Sequence, residues 1–322
     1  MTKHKQGLIV VYGDINIDIV FYVNKLPKGD IAVSAKSMRI AHGGVGGNIA
    51  VALSRLGLNV ELVGAIGCDI LGSEALSTLK SENVGVRFVD RVSEESTGVM
   101  VVIVLPDGSR TIIGYRGANS LANPDKLIGE LNNPVAHVHI SGYMALNSNG
   151  LENIIKLARW GKRLNATVSL DLEGIALEKP HVISKLKGLI DYVFLNRDEL
   201  NHIVSVGDVR EGAKTVYEAM ELKALFLKMG ARGSIVVTDD RVLEVKPFKV
   251  KAIDTTGAGD AFNAGVIYGL ILNLKPWEAA ILGNAMGAYA CTGYGARHTP
   301  KNVGELVSLF PTLKKILGRV EK

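Results

Sequence analysis

Cysteine is nearly absent from this chain of 322 residues, since only Cys68 and Cys291 occur. Neither belongs to a CxxC or Cys/His pattern, which argues against a disulfide framework and a zinc site. No apolar run reaches the ~18–20 residues that a membrane span needs. The polar residues 1–7 contain no secretory hydrophobic segment. Together these absences predict a protein of the reducing cytoplasm with no membrane partner.

Long basic runs are also absent, although the net charge is +5. The lysines and arginines are dispersed, which favours a small anionic ligand over a nucleic acid. Both the GxGxxG dinucleotide fingerprint and the GxxxxGK[ST] phosphate loop are missing. The missing fingerprint disfavours a nicotinamide-dependent oxidoreductase.

Glycine is abundant instead, with 36 residues that cluster at a few sites. Between the clusters, short apolar runs rich in β-branched residues alternate with helical patterns, which predicts an α/β fold with a mainly parallel sheet. We predict strands at Leu8–Tyr12, Val60–Ile66, Val138–Ile140, Val168–Leu172, Tyr192–Leu195, Ala224–Lys228, Ser234–Val237 and Phe248–Ile253. We predict helices at Asn48–Leu56, Glu74–Lys80, Leu151–Arg163, Arg210–Leu222, Ala258–Leu272 and Trp277–Cys291.

Two stretches interrupt this alternation. Residues 17–40 contain short strand-like pieces, and residues 97–115 resemble a hairpin with a Pro-Asp-Gly turn at 106–108. They form either a small antiparallel sheet that serves as a lid or two unrelated surface hairpins. The first reading divides the chain into a lid, residues 16–41 and 97–116, and a large domain, residues 1–15, 42–96 and 117–322. One exposed apolar face of such a lid predicts a homodimer.

The sharpest local pattern is DTTGAGDAFNAG at residues 254–265. Gly257 and Gly259 free backbone amides where a strand-like segment meets a helix, which favours an anion site. Asp260 lies in the first helical turn, where a carboxylate next to an anion is unfavourable unless it accepts a proton from an attacking hydroxyl. The alternative is a helix with a favourable acid and a Thr255 or Thr256 cap.

A second glycine-rich segment is GGVGGN at residues 43–48, directly before a helix. Its glycines allow a ligand to approach the backbone closely. Asn48 either binds that ligand or caps the helix.

Polar side chains also follow the first strand. Alternation places Asp14, Asn16 and Asp18 on one face, which suits the recognition of sugar hydroxyls or makes a wetted strand edge.

After another predicted strand, Asn196 and Glu199 stand three residues apart. At the carboxyl end of a parallel strand, Glu199 is suited to hold Mg²⁺ through water. The same pair also fits a capping box.

Taken in this order, these segments resemble the PfkB family of carbohydrate kinases, also called the ribokinase family, from Gly13 to about Pro300. GGVGGN is similar to the first family pattern, DTTGAGDAFNAG to the second, and Asn196 and Glu199 match its NxxE element. The resemblance implies a Rossmann-like core with helices on both faces and a β lid. It further implies Mg²⁺-assisted transfer of the γ-phosphoryl group of ATP to a hydroxymethyl group.

The resemblance also implies site residues. Asp260 would be the base, and the amides of Gly257, Ala258 and Gly259 would form the anion hole. Six residues would bind the sugar: Asn16, Asp18, Gly43, Gly44, Asn48 and Arg116. Six would bind ATP: Asn196, Lys228, Gly230, Gly257, Gly259 and Asn284. Glu199 would hold Mg²⁺ through water, and Asp254 and Thr256 a monovalent cation such as K⁺.

Some positions depart from the family. Lys228 replaces a usual threonine and either contacts phosphate or points to solvent. Ribokinases usually carry a glutamate where this chain has Ser141-Gly142, which counts against ribose itself. We therefore expect a neutral ribose- or fructose-like sugar first, a nucleoside second and a 2-keto-3-deoxy sugar acid third. In the last case Arg116 would pair with the acid; otherwise it is a surface arginine.

A non-catalytic sugar- or nucleotide-binding relative is the remaining alternative. The intact GAGD segment at residues 257–260 argues against it, because a protein that only binds has no need of a base.

Overall fold

The computed structural model describes residues 7–204 and 207–319. The termini of the predicted large domain, residues 1–6 and 320–322, therefore lie outside the described residues. The strands are β1 Leu8–Tyr12, β2 Asn16–Tyr22, β3 Ser37–Gly43, β4 Val60–Gly67, β5 Gly85–Val92, β6 Gly98–Val104, β7 Arg110–Tyr115, β8 Val135–Ser141, β9 Thr167–Asp171, β10 Tyr192–Asn196, β11 Ala224–Lys228, β12 Ser234–Val237 and β13 Val242–Val245.

The helices alternate with the strands of the large sheet and are concentrated in the last third of the chain. They are α1 Val45–Arg55, α2 Ile70–Ser81, α3 Asp125–Glu130, α4 Gly150–Arg163, α5 Glu173–Glu178, α6 Arg197–Ile203, α7 Val209–Met220, α8 Ala258–Ile271, α9 Pro276–Ala290, α10 Val303–Leu309 and α11 Lys314–Leu317. None of these described helices has both the length and the apolar composition needed to cross a membrane.

A nine-stranded sheet organises the described chain, in the order β13-β12-β11-β10-β9-β8-β1-β4-β5. The pairs from β11 through β8 and β1 to β5 are parallel, and only the β11–β12 and β12–β13 pairs at one end are antiparallel. The carboxyl ends of the parallel strands therefore share one edge, which is where ligands bind in open α/β sheets.

Helices cover both faces of this sheet. In β1, Val10 and Tyr12 belong to one apolar cluster and Ile9 and Val11 to a second, as expected for a strand buried on both faces. Helices α4 and α7 pack in the first cluster, and α1, α8 and α9 in the second. Burial of each Leu or Ile side chain stabilises the folded state by roughly 1.5–3 kcal/mol. The helices on the two faces therefore hold the sheet, and the edge at which its parallel strands end, in place.

Helices α8 and α9 are apolar nearly all round and are buried as predicted. Their axes approach closely because small residues face each other. A Cβ at Gly265 would lie 2.7 Å from the carbonyl oxygen of Leu282. This contact packs the middle of α8 closely against α9.

A separate four-stranded sheet has the order β3-β2-β6-β7; we call it the lid sheet. The β2–β3 and β6–β7 pairs are antiparallel, but β2 and β6 are parallel. The expectation of a purely antiparallel sheet is therefore wrong. The reason is topological: β2 continues from β1 and β6 from β5, and these two parent strands point the same way.

The predicted strand at Phe248–Ile253 is also wrong, because residues 246–252 have no regular structure. The apolar sequence instead serves as a wall: Pro247, Phe248, Val250 and Ala252 line a cavity. An apolar run can therefore line a pocket without pairing to another strand.

Candidate active site

The turn before α8 has the geometry of an anion site. Gly257 is the N-cap of α8 with a φ of 75°, a left-handed conformation that favours glycine. A Cβ there would lie 2.3 Å from the carbonyl oxygen of Ala296. None of the described side chains caps this helix, so its positive end faces the adjoining cavity. The Ala258 amide donates to the Thr255 carbonyl at 3.2 Å and is therefore engaged within the turn.

Asp260 lies in the first turn of α8. Its Oδ2 accepts a hydrogen bond of 2.8 Å from Nδ2 of Asn48. Burial raises the pKa of the Asp260 carboxyl to about 6, although the Asn48 amide and the Lys228 ammonium act in the opposite direction. The contact joins the two glycine-rich segments of the sequence, so the proposed base and a proposed sugar ligand share one hydrogen bond.

Arg297 completes the surroundings of Asn48. Its Nε donates to Asn48 Oδ1 at 3.3 Å, and its Nη2 donates to the Gly43 carbonyl at 3.2 Å. Burial lowers the pKa of the Arg297 guanidinium to about 10 against the effect of Asp18. Burial likewise raises the pKa of Asp18 to about 6, which Arg297 opposes. A cation and an acid therefore balance each other beside Asn48.

The glycines of this segment pack against β2 and the loop that precedes it. A Cβ at Gly43 would lie 2.3 Å from Oδ1 of Asp18, and one at Gly44 would lie 2.4 Å from the Asp14 carbonyl. Gly44 has a φ of 83° and is the N-cap of α1. Asn48 lies inside α1 rather than at its start, so the capping alternative for Asn48 is wrong.

Arg116 is held by an ion pair. Its Nη1 and Nη2 donate to the two Asp14 carboxylate oxygens at 3.1 and 3.2 Å, and Nη2 also donates to Asn147 Oδ1 at 2.9 Å. The surface-arginine alternative is therefore wrong. Burial raises the pKa of Asp14 to about 6, although Arg116 lowers it.

Asn16 begins β2 and is 4% exposed. Its Oδ1 accepts a hydrogen bond of 2.8 Å from Nδ2 of Asn119. Asn119 Oδ1 in turn accepts from the Ile15 amide at 2.8 Å. Asn119 therefore fixes the point where the chain passes from the large sheet into the lid sheet.

A second charged group lies at the carboxyl ends of β9, β10 and β11. Lys228 Nζ is 2.6 Å from Asp171 Oδ2, which also accepts a 2.6 Å hydrogen bond from Nδ2 of Asn263. Burial disfavours the charged lysine, but Asp171 and Glu199 outweigh it and raise the Lys228 pKa. Lys228 therefore does not point to solvent. A Cβ at Gly259 would lie 3.8 Å from its ammonium, so this cation stands beside the anion-site turn.

Glu173 lies between this charged group and Asp260. Its Oε1 accepts a 2.6 Å hydrogen bond from the Ser141 hydroxyl. Burial and the neighbouring acids Asp171 and Asp260 raise the pKa of Glu173 well above its usual value. A carboxyl thus stands at Ser141 after all, supplied by the first residue of α5 rather than by β8.

Asn196 and Glu199 form the capping box at the start of α6. Asn196 Oδ1 accepts from the Glu199 amide at 2.9 Å, and Glu199 Oε2 accepts from the Asn196 amide at 2.7 Å. Glu199 Oε1 accepts from Asn196 Nδ2 at 2.6 Å. Burial and Asp171 raise the pKa of Glu199 to about 7. The capping alternative is thus correct, and the cap also aims a carboxylate at the charged group.

A cavity of about 590 Å³ adjoins this site between the 247–252 wall, α8 and α9. Lys228, Gly230, Gly259 and Asn284 line it, so four of the predicted ATP-binding positions surround one space. Asn284 Nδ2 donates to the carbonyls of residues 245 and 246 at 3.1 Å each. Asn284 therefore holds the cavity wall in place.

Asp254 and Thr256 contact each other and the lid sheet. Asp254 Oδ1 accepts from the Thr256 amide and hydroxyl at 2.9 and 2.7 Å. The guanidinium of Arg110, the first residue of β7, also donates to the Thr256 hydroxyl and lies 3.5 Å from Asp254 Oδ1. The position predicted for a monovalent cation thus already adjoins a side-chain cation.

Three charged residues at the candidate site were not predicted from the sequence. Asp171 and Glu173 come at the end of a predicted strand, so the rule applied to Glu199 would have found them. Arg297 had no local signal, because it lies in the loop after α9 and meets Asn48 only through the fold.

Known proteins share the sequence pattern and the architecture of this chain. A family model described as pfkB family carbohydrate kinase matches residues 6–302. The chain belongs to this family. As a pfkB family member it is an ATP-dependent carbohydrate kinase, and the predicted family and enzyme class are confirmed. The oxidoreductase and non-catalytic alternatives are thereby set aside.

Individual relatives of this pfkB chain cover it almost completely. A ribokinase from Haemophilus influenzae is 28% identical over 306 residues, which is 90% of this chain and 94% of the relative. A nucleoside kinase from Methanothermobacter thermautotrophicus is 24% identical over 305 residues, 94% of this chain and 95% of the relative. The solved ribokinase structure from Thermotoga maritima superposes with a TM-score of 0.79 at 26% identity, covering 95% of this chain and 99% of that one. The predicted Rossmann-like fold with a separate small sheet is confirmed.

Proposed function

We propose that this kinase transfers the γ-phosphoryl group of ATP to a hydroxymethyl group of a neutral, ribose- or fructose-like sugar. The observation that carries the proposal is the Asn48–Asp260 hydrogen bond. It holds a carboxyl with a raised pKa between the glycine-rich segment at 43–48 and the turn at 257–259, of which Ala258 and Gly259 line the cavity. Such a carboxylate is suited to accept the proton of the attacking hydroxyl.

The turn and its neighbours supply positive charge for the transferred group. The N-terminal end of α8 provides backbone amides at Gly257 and Gly259, and Lys228 adds a buried ammonium. Phosphoryl transfer depends mainly on positioning and electrostatic stabilisation, and fixed groups of this kind provide both.

The donor set also fits Mg²⁺. Among the described residues, no group of three or more acidic, His or Cys side chains could hold a metal directly. Glu199 and Asp171 are nevertheless close enough for Asp171 to raise the pKa of Glu199. Two carboxylates suit an ion that keeps several waters and binds substrate phosphates, as Mg²⁺ does. When bound, Mg²⁺ would neutralise phosphate charge, and Glu199 would hold it through water.

The sugar-side groups favour a neutral acceptor. Asp14 already neutralises Arg116, and Asp18 faces Arg297. An acceptor carboxylate at Arg116 would have to displace the buried Asp14, which would lose its partner. We therefore place a 2-keto-3-deoxy sugar acid last.

A nucleoside is the second candidate acceptor. The Methanothermobacter relative is a nucleoside kinase that matches nearly the whole chain. Ser141, rather than a glutamate of β8, stands beside the site, which separates this chain from the usual ribokinase pattern.

A substrate screen tests the proposed function. ADP formation would be measured with pentoses, hexoses, 2-keto-3-deoxy sugar acids and nucleosides, each with and without K⁺. We expect the highest kcat/KM with a neutral sugar. Faster turnover of a nucleoside or a sugar acid would replace the first choice, and no ADP formation with any acceptor would contradict the proposal. The cytoplasmic location stays a prediction from composition.

The pH profile should report Asp260. Because the base must be ionised and its pKa is raised to about 6, kcat should fall as the pH drops through about 6 and reach a plateau above it. The measurement is kcat at saturating ATP and sugar with direct detection of ADP. Burial also raises the pKa values of Asp14 and Asp18 to about 6. Because these two residues lie on the sugar side, kcat/KM for the sugar should fall more steeply with decreasing pH than kcat. A kcat that stays constant through this range would exclude Asp260 as the base.

Asp18→Ala should mainly impair use of the sugar. The variant loses the acid opposite Arg297 on the sugar side, so we expect KM for the sugar to rise by roughly tenfold to a hundredfold, with KM for ATP nearly unchanged. Steady-state kinetics of both substrates provide the measurement. Asp30→Asn is the matched control, because Asp30 is exposed in the connection between β2 and β3. Unchanged sugar kinetics in Asp18→Ala would remove this residue from the site.

The lid sheet offers a surface for a homodimer. Ile40, Ile19, Val101 and Ile113 stand opposite one another across its four strands, and Ile40 and Ile113 are 59% and 62% exposed. Alternation puts Asp18 and Arg110 on the other face, which looks into the site. We propose that the row of four residues pairs with its copy in a second chain.

Ile113→Lys should therefore produce a monomer, since a charge would be buried in the row. Light scattering at working concentration measures the mass. Ile112→Lys, a change of the same kind on the opposite face of β7, should remain dimeric. A wild-type monomer, or a dimer that survives Ile113→Lys, would contradict this arrangement.

A further inference from the structure

Arg110, in the lid sheet, contacts the anion-site turn. Arg110 Nη1 donates to the Thr256 hydroxyl, and Nη2 donates to the Thr255 hydroxyl at 3.2 Å. Nη1 also lies 3.5 Å from Asp254 Oδ1. Arg110 begins β7, so this contact links the tip of the lid sheet to the segment that ends at Gly257.

Asp254 braces that segment on two sides. Its Oδ1 accepts from the Thr256 amide and hydroxyl, and its Oδ2 accepts from the Gly295 amide at 3.0 Å. Gly295 precedes Ala296, the residue against which Gly257 packs. The conformation of Gly257 therefore depends on Asp254 being held in place.

Asp254 is also a negative charge three residues before the site for a polyanion. Without a counter-charge it would oppose phosphate binding. A guanidinium is suited to this position because its planar fork contacts the carboxylate and two hydroxyls at once.

We propose that Arg110 is a positioning residue through which the lid sheet fixes the 254–257 turn, so that the anion site is fully formed only when the lid lies over it. The inference rests on the proposed function for its kinetic consequence. Binding of the sugar at Asp18 in β2 and binding of the phosphate at Gly257 are then coupled, because both sites contact the lid sheet. Phosphoryl transfer is favoured once the acceptor is present, rather than transfer to water.

Arg110→Ala tests the inference, with Thr111→Ala as the matched control, because Thr111 is the next exposed residue of β7. We expect Arg110→Ala to lower kcat by roughly tenfold to a hundredfold, since small displacements of catalytic groups cost about that much. KM for ATP should change far less than kcat. Arg110→Lys, which keeps the charge but loses the fork, should lie between Arg110→Ala and wild type.

Hydrogen exchange provides a readout that does not depend on activity. Backbone amides of residues 254–260 should exchange faster in Arg110→Ala than in Thr111→Ala or wild type, with equal thermal unfolding midpoints. Equal exchange in both variants, or a kcat of Arg110→Ala equal to that of Thr111→Ala, would overturn the role of Arg110. A wild-type protein without kinase activity would instead contradict the proposed function, and the exchange comparison would still decide on Arg110.

Discussion

Asp260→Asn should fold normally, bind ATP and lose about 10²–10⁴ in turnover. The asparagine keeps the shape of the side chain and can still accept the hydrogen bond from Asn48. It cannot take a proton, so the attacking hydroxyl would have to lose its proton to water. The loss should therefore appear in kcat, with KM for ATP close to the wild-type value.

Rapid-quench measurement of phosphoryl transfer, alongside ATP binding by calorimetry, separates the two effects. Asp239→Asn is the matched control, because Asp239 is exposed in the β12–β13 turn. Turnover of Asp260→Asn within a few-fold of this control would exclude Asp260 as the base and would require another acceptor for the proton.

Lys228→Met should lower turnover by about 10²–10³, the range observed when one preorganised charge-stabilising group is removed. The largely buried ammonium stands beside Gly259, where, under the proposed function, negative charge would develop on the transferred group. The substitution also leaves Asp171 without its cation, and breaking a buried ion pair costs about 3–5 kcal/mol of stability. Loss of activity in this variant alone would therefore be ambiguous.

The double variant Lys228→Met with Asp171→Asn removes that ambiguity when it is compared with the single variant Asp171→Asn, because Asp171 also belongs to the donor set proposed for Mg²⁺. It deletes the unpaired charge, and the amide oxygen that Asp171→Asn introduces can still accept the hydrogen bond from Asn263. We expect most of the stability to return, measured by urea unfolding, while turnover stays low. A double variant that regained both properties would show that Lys228 acts only by neutralising Asp171.

Local patterns predicted which segments meet at the candidate site. The glycine-rich segments could be recognised because the residues that act together are neighbours in the sequence. Gly257, which needs a positive φ, is followed three residues later by the acid Asp260. Strand ends could be placed from apolar runs, and Asn196 and Glu199 followed from that placement.

Long-range pairs could not be predicted in the same way. The contact of Arg297 with Asn48 and that of Lys228 with Asp171 join residues far apart in the chain. A single sequence carries no signal for such pairs, because each partner alone resembles an ordinary surface charge. The Asp14–Arg116 pair likewise could not be predicted from the sequence, although it is the structural argument for placing a sugar acid last among the acceptors.

Strand β2 has a consequence for how this enzyme can diverge. Under the proposed function Asn16 and Asp18 face the acceptor, whereas Ile19, on the opposite face of the strand, belongs to the row of four residues proposed for the dimer. Inserting or deleting a single residue between Asn16 and Ile19 would exchange the two faces, turning Asp18 outward and Ile19 towards the site. If the proposed function and dimer hold, point substitutions at alternate positions of β2 would change the acceptor preference, whereas a change in strand length would disrupt sugar binding and dimer formation together.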